Sequence, residues 1–326
     1  MKKLRLTILF ISVLIITPSV FCQTSYEDTI KPAFQEFTQQ IAQTLPYLTT
    51  VGLSWNDAYI GGFPHFAAGL SVGFATIPYE AVYNLANSLG VGAEFDNIMG
   101  VFRNFGFPLP MWCIDGRLGG FILPFDLGIK FGFLPKEASV LMPEGVAFDY
   151  LMMGGEVRLA LVEEPILDLS IGLAATYLAG GITVYNVTSA QTITFGSEWV
   201  SYSEGDIFFN WEAFSLDLKA QISKNLAFIT ISAGLGATYS LYAQTKGGFI
   251  AERTGQSTGF EALIANYPEL QVLSSSFTVK GSANGWSLRA FGGVTFEILF
   301  LKLDLMAMYN FLGGTMGATL NLRLQL

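Results

Sequence analysis

Along most of the chain, apolar residues fall on every second position. The C-terminal stretch shows this well: Met316, Ala318, Leu320, Leu322, Leu324 and Leu326 alternate with Gly317, Thr319, Asn321, Arg323 and Gln325. The same period of two runs through 66–74, 112–122, 125–133, 151–161, 167–177, 214–222, 229–241, 288–298 and 301–309. Successive side chains of a strand point to opposite faces. Each stretch therefore predicts a strand with one apolar face and one small or polar face. They amount to about ten strands of the length that crosses a bilayer when tilted. Short connections near 123–124, 163–165, 224–225 and 299–300 alternate with long ones over 78–111, 135–147, 181–207 and 244–282. The remaining connection, at Gly313-Gly314, is short. Periplasmic turns and extracellular loops alternate in this way. Both barrel ends then lie on the periplasmic side, which requires an even strand number. Twelve or fourteen strands follow if the long connections hide β-ribbons, and 190–203 looks strand-like.

Two regions carry a different period. In 27–45, Ile30, Phe34, Phe37, Ile41 and Leu45 recur at steps of three and four, with Pro32 in the first turn. That pattern predicts an amphipathic helix. Preceding the first strand, it is expected to start in the periplasm and to plug the barrel or lie against its rim, with Phe34, Phe37 and Ile41 as plug or gate residues. Residues 48–63 link it to the first strand or form an extra inner segment. The 78–111 connection predicts two helices. One starts after Pro78 and ends at Gly90; the other runs from about Ala93 and carries Phe95, Ile98, Met99 and Phe102. Such apolar loop helices cap the barrel, constrict its mouth or form a groove.

Composition decides what the alternation means. Of 326 residues, 51% are apolar and 13% charged, and mean hydropathy is +0.46. Soluble domains carry about 25% charge, and a β-sandwich needs a charged outer face that this chain does not supply. After residue 22 no run approaches the roughly 20 apolar residues of a transmembrane helix. An all-β, antiparallel, up-and-down transmembrane barrel remains, because only helices and closed barrels satisfy their backbone in lipid. At the N-terminus, Lys2, Lys3 and Arg5 precede the apolar stretch 6–16, and Pro18 and Ser19 break it. This reads as a signal peptide over 1–22, with a retained anchor or a lipidated Cys22 as alternatives. Residues 23–63 then form a periplasmic or plug segment and 64–326 the barrel, which belongs in a bacterial outer membrane. Cleavage leaves 14 of the 17 basic residues against 26 acidic ones. The net charge is then about −12, which excludes a nucleic-acid binder. Cys113 is left without a disulfide partner.

Strand parity places fourteen charges on the inner face. The acids are Asp115, Asp126, Glu156, Asp168, Asp217, Glu297 and Asp304; the bases are Arg117, Lys130, Arg158, Lys219, Arg289, Lys302 and Arg323. Asp115/Arg117, Glu156/Arg158, Asp217/Lys219 and Lys302/Asp304 stand two residues apart on one face and are expected to help build a ladder of ion pairs. A balanced lumen argues against a strongly charge-selective filter, which needs a ring of one sign. Two interiors fit: one filled by paired charges, and one forming a polar conduit that binds or screens solutes.

Catalytic signals are weak. His65 is the sole histidine. It falls at the periplasmic start of the first strand, where it reads as an interfacial residue. Cys113 faces the lumen by parity and reads as inert. There is no nucleophile elbow, HExxH, CxxC or phosphate-binding loop. The chain is accordingly expected to be no enzyme and to hold no cofactor or metal.

Leu45-Pro46-Tyr47, the run Val51-Gly52-Leu53-Ser54-Trp55-Asn56-Asp57-Ala58-Tyr59-Ile60-Gly61, and Pro64-His65-Phe66 resemble outer-membrane proteins of spirochaetes such as treponemes. The resemblance covers roughly 45–77. The N-terminal helical segment, long loops and apolar loop helices are also similar to FadL-type fatty-acid channels. That family has fourteen strands and a short Asn-Pro-Ala signature at its mature start, which Gln23-Thr24-Ser25-Tyr26 lacks. The expected function is an outer-membrane channel or transporter for small solutes, apolar ones included, gated by the N-terminal or loop helices. The alternative is a non-conducting structural or surface-interaction barrel of adhesin type with an ion-paired interior. The expected partners are the lipid bilayer, the outer-membrane barrel assembly machinery and a small or apolar solute.

Overall fold

The structure, a computed structural model, describes residues 30–63, 65–120, 124–135, 145–266 and 276–325. The signal peptide assigned to 1–22, the first residues of the predicted helix at 27–29, and most of the 135–147 connection lie outside these residues. Strands β1 (His65–Ile77), β2 (Phe107–Gly119), β3 (Phe125–Leu134), β4 (Val146–Glu163) and β5 (Asp168–Thr188) form one part of a barrel. After a ribbon of β6 (Gln191–Phe195) and β7 (Glu198–Tyr202) come β8 (Gly205–Leu226), β9 (Ile229–Ile250), the short β10 (Arg253–Gln256), β11 (Phe277–Ile298), β12 (Leu301–Asn310) and β13 (Thr315–Gln325). Ten of these close into a barrel in the order β1-β13-β12-β11-β9-β8-β5-β4-β3-β2. Every neighbouring pair is antiparallel, and β1 meets β13 with Ser71 opposite Asn321. No described helix is long and apolar enough to cross a membrane. The strand-like 190–203 region adds no barrel strand: β6 and β7 pair with β10 in a separate three-stranded sheet.

The barrel wall is uneven. β3 and β12 have 10 residues each, whereas β5 has 21 and β8, β9 and β11 have 22. The long strands overshoot the outer aromatic level, marked by the contact of Tyr239 with Trp286, by about ten residues, or roughly 30 Å of strand. The predicted connection 181–207 is thus largely strand, and of 244–282 the residues 244–250, 253–256 and 277–282 are strand while Phe260–Asn266 is helical. They escaped the pattern because it inverts there. Below Tyr239 the outward residues are Leu235 and Ile231, in lipid; above it they are Gln244 and Lys246, in water, while Phe209, Trp211 and Val279 turn inward and are buried. A bulge at Phe214/Ser215, opposite 240–242, shifts the register at this boundary.

What the upper wall packs against is the N-terminal helix, α1 (Lys31–Leu48). Phe34 stacks on Phe209 with ring centroids 5.6 Å apart and meets Phe277 edge-on at 4.9 Å; Phe37 meets Phe209 edge-on at 4.8 Å. Gln35 and Gln39 donate to the carbonyls of Lys280 and Ser282. Close approach requires Gly281, where a Cβ would sit 2.5 Å from the Thr38 carbonyl oxygen. Because β11 descends from its loop end while α1 runs beside it from Phe277 past Lys280 to Ser282, the helix begins at the loop end. The expectation that it starts in the periplasm is therefore wrong. Ile41 sits in the same apolar cluster, which also takes in α2 (Tyr79–Ser88) and α3 (Gly92–Met99). These two are the helices expected in the first long loop, and Gly90, with φ +79°, ends α2. α2 packs between α1 and α3.

Candidate functional site: the occupied lumen

Below α1 the chain does not leave the barrel. Residues 49–61 run down its inside to the turn end and emerge at β1. Leu53, Trp55, Asn56, Ala58 and Ile60 are completely or almost completely buried, and between 51 and 60 only Tyr59 is exposed. Beside the segment, a cavity of ≈ 20 Å³, lined by Thr49, Lys130, Glu156, Lys219, Arg289, Met306 and others, has room for about one water.

The wall holds this segment by its main chain. Lys130 Nζ donates to the carbonyls of Thr49 (2.6 Å) and Val51 (2.8 Å). Arg117 (2.8 Å) and Lys219 (2.9 Å) both donate to the Leu53 carbonyl. Gln221 donates to Trp55 O (2.8 Å), and Arg158 to Asp57 O (2.5 Å) and Tyr59 O (3.4 Å). The N–H groups are met as well: Leu53 by Asp115 (2.6 Å), Ala58 by Ser223 (2.8 Å), and Ile60 and Gly61 by Glu163 (2.7 and 3.0 Å). Buried backbone groups must find partners, and a segment without ladder neighbours finds them in wall side chains. Leu53 has φ +57° after Gly52 at +80°. A left-handed Leu costs roughly 1–2 kcal/mol, and the three side chains gripping its N–H and carbonyl over-determine it.

Side chains of the segment are anchored as well; Asn56 donates to the Leu305 carbonyl (3.2 Å) and accepts from Ser232 (2.9 Å). The Trp55 ring lies between guanidiniums, with Arg117 Cζ at 4.9 Å and Arg323 Cζ at 4.6 Å from it, and its Nε1 donates to Asp115 (3.3 Å). Asp57 pairs with Arg323 (3.2 Å) and Lys302 (3.4 Å).

All fourteen charges assigned by parity lie on the inner face. Asp168, Asp217, Glu297 and Lys302 are half-buried and the others buried. The ion pairs run between strands. Arg117 bonds Asp126 (2.9 Å) and Glu156; Arg158 bonds Asp126 (2.5 Å); Lys219 bonds Glu156 (2.7 Å). Farther round, Arg289 bonds Asp217 (2.5 Å), Lys302 bonds Glu297 (3.3 Å) and Arg323 bonds Asp304 (2.7 Å). The proposed pairs two residues apart on one strand do not form among the described contacts. Arg158/Asp126 and Lys302/Glu297 are directly opposed, Arg117/Asp126 and Arg323/Asp304 are diagonal neighbours, and Arg117/Glu156, Lys219/Glu156 and Arg289/Asp217 reach over Gly128, Gly172 and Gly236 of the strand between them. Asp115 accepts instead from Leu53, Trp55, Ser71 and Asn321. Lys130 is committed to carbonyls, and Asp168 sits at the turn end opposite Glu163.

Trp55, Asp57, Glu163, Gln221 and Ser223 were missed from the sequence. Gln221 and Ser223 were inward by parity but carried no charge; Trp55 and Asp57 lay in a stretch without period. A buried-size aromatic beside an acid in an aperiodic run before the first strand was the available signal. His65 is not interfacial: it faces inward, is buried, and its Nε2 lies 3.4 Å from Gln325 Nε2. Cys113 is buried on the inner face.

No protein-family model and no curated protein matches the chain. Solved structures do. The outer-membrane protease OmpT of Escherichia coli is similar at 8% identity and TM-score 0.39, over 80% of this chain and 97% of its own. A Pseudomonas aeruginosa FadL homologue is similar at 12% and 0.32, over 76% and 60%. Ail of Yersinia pestis, the attachment invasion locus protein, is similar at 10% and 0.27, over 81% and 97%. These likenesses concern the barrel fold alone. The spirochaetal resemblance of 45–77 has no support in them. The expectation that the chain is no enzyme is overturned, because a protease is among the barrels of this kind and the fold does not exclude catalysis. The closed barrel with an apolar outer band is a bacterial outer-membrane β-barrel with the lipid bilayer as its surroundings.

Proposed function

We propose that this barrel is a gated channel for small solutes whose resting state is shut by its own residues 49–61, with α1 and the loop helices above as a second closure. The observation that carries the reading is where the luminal hydrogen bonds go. Lys130, Arg117, Lys219 and Arg158 reach the carbonyls of one continuous segment, so the interior is shaped around a part of the chain that enters from one side and is covalently tied at its exit to β1. An eight-stranded barrel fills itself with side chains; here ten strands leave a bore that one segment of chain occupies. Fourteen luminal charges would line that bore once the segment left it, and water would then hydrate them. Delivery by the outer-membrane barrel assembly machinery belongs to the same proposal.

The second reading, a permanently shut barrel that presents its tall β5-β8-β9-β11 wall to the outside, is favoured by the packing of the segment. Conductance in planar bilayers separates the two. The intact protein is expected to be silent, and variants that weaken the hold on 49–61 to open it. Silence of every such folded variant would leave the second reading.

A further inference from the structure

The luminal contacts have a regularity that gating does not require. The carbonyls of Thr49, Val51, Leu53, Trp55, Asp57 and Tyr59, every second residue, each receive a wall donor. Residues 49–53 present theirs from a turn that leaves α1, with Gly52 and Leu53 at positive φ, and from Ser54 on the period of two is that of an extended chain; carbonyls are common to all polypeptides. Side-chain selection falls on three consecutive residues: Trp55 in the slot between Arg117 and Arg323, Asn56, which donates to the Leu305 carbonyl and accepts from Ser232, and Asp57, whose carboxylate the Arg323/Lys302 pair takes.

We propose that the lower lumen is a peptide-binding site, taking a polypeptide by its main chain, with an aromatic side chain between Arg117 and Arg323 and an acidic one two residues later on Arg323 and Lys302. Residues 49–61 are its resident occupant, holding the site against peptides of the same class. The assignment deepens the gated reading and rests on it, since an occupant that never leaves cannot be exchanged. Tethering is expected to keep a free peptide from competing with the intact chain, because a linked ligand acts at millimolar effective concentration.

The test uses the full chain with a protease site inserted at Gly62, which is exposed and where an added Cβ meets nothing within 4 Å. The folded barrel is cut, the N-terminal fragment washed out in mild denaturant, and barrel integrity checked by heat-modifiable electrophoretic mobility. Three fluorescent peptides are then titrated: 48–61 itself; a version keeping the glycines, Trp55, Asn56 and Asp57 with the other side chains exchanged among Ala, Ser and Thr; and a version lacking only the side chains of Trp55 and Asp57. The first two should bind within about 10-fold of each other, and the third at least about 10-fold more weakly for loss of the cation–π slot. Equal binding of all three, failure of the second, or no binding at all to an open barrel would overturn the proposal. So would retention of the fragment up to the barrel's own unfolding. The gated reading fails separately, if fragment release leaves the bilayer silent. Should the insertion prevent folding, uncut Trp55→Ala is titrated with the first peptide. Saturable uptake that the parent chain lacks supports the site, and its absence in a folded variant overturns it.

Discussion

Replacing Trp55 by alanine removes the largest side chain of the luminal segment from a site where it is 1% exposed. Truncating a buried Trp costs about 3–5 kcal/mol. The ring also lies within 5 Å of two guanidinium carbons, and a desolvated cation–π contact is worth about 2 kcal/mol. These contributions overlap, so about 4 kcal/mol is a fair expectation for the weakening of the closed state. At about 1.4 kcal/mol per factor of ten, the ratio of open to closed channels rises roughly a thousand-fold. Arg117 and Arg323 keep their carboxylate partners, so the barrel should still fold. The assay is single-channel recording in planar bilayers, with Tyr59→Ala as the control. Tyr59 belongs to the same segment but is 47% exposed, and its loss should leave the recording silent. A folded Trp55→Ala protein as silent as its parent would refute the argument that this segment is a displaceable closure.

The remaining predictions concern the boundary, the topology and the loops. On β9, Leu235→Arg places a charge on the mid-membrane outer face and should cost about 2–4 kcal/mol. Gln244→Arg, on the outer face above the bulge, should stay within about 0.5 kcal/mol. Urea titration of both variants in lipid vesicles checks the level at which lipid gives way to water. Lys31→Cys should react with a membrane-impermeant maleimide on intact cells, because the start of α1 stands at the loop end; labelling only after permeabilisation would reverse the direction assigned to the helix. In the first loop, Tyr79 donates to Asp96 (2.7 Å) and Arg103 pairs with it (2.5 Å). The Tyr79 hydroxyl and the Arg103 guanidinium hold the Asp96 carboxyl below the usual carboxylate range, while burial first and the Asp96 contact second push the Tyr79 hydroxyl up to about 12. A depressed carboxyl contributes its stabilisation in full above the unfolded pKa of about 3.9 and loses it as pH falls through the folded value. Amide protection in 92–102, taken relative to the intrinsic exchange rate at each pH, should therefore fall on acidification below about pH 4, and Asp96→Asn should abolish that acid step.

Much of the barrel was legible in the sequence because its cause is local. A lipid-facing strand must alternate, so residues such as Leu320 and Asn321 declare their faces within two positions of each other, and parity follows from covalent geometry alone. The same logic failed above Tyr239, where water replaces lipid outside and α1 replaces water inside, so that Phe209 and Lys246 exchange the roles the pattern assumes. Which charges pair was not legible either. Arg117 meets Asp126 and Glu156 rather than Asp115 because register, not sequence spacing, brings groups within reach. Least legible was the occupant of the lumen. The contacts of Leu53 with Asp115, Arg117 and Lys219, and of Asp57 with Lys302 and Arg323, span from 62 to 266 residues of chain. No local period records them. They exist only once ten strands have closed, because closure creates the enclosed space in which an unpaired backbone must find its partners among the wall's side chains.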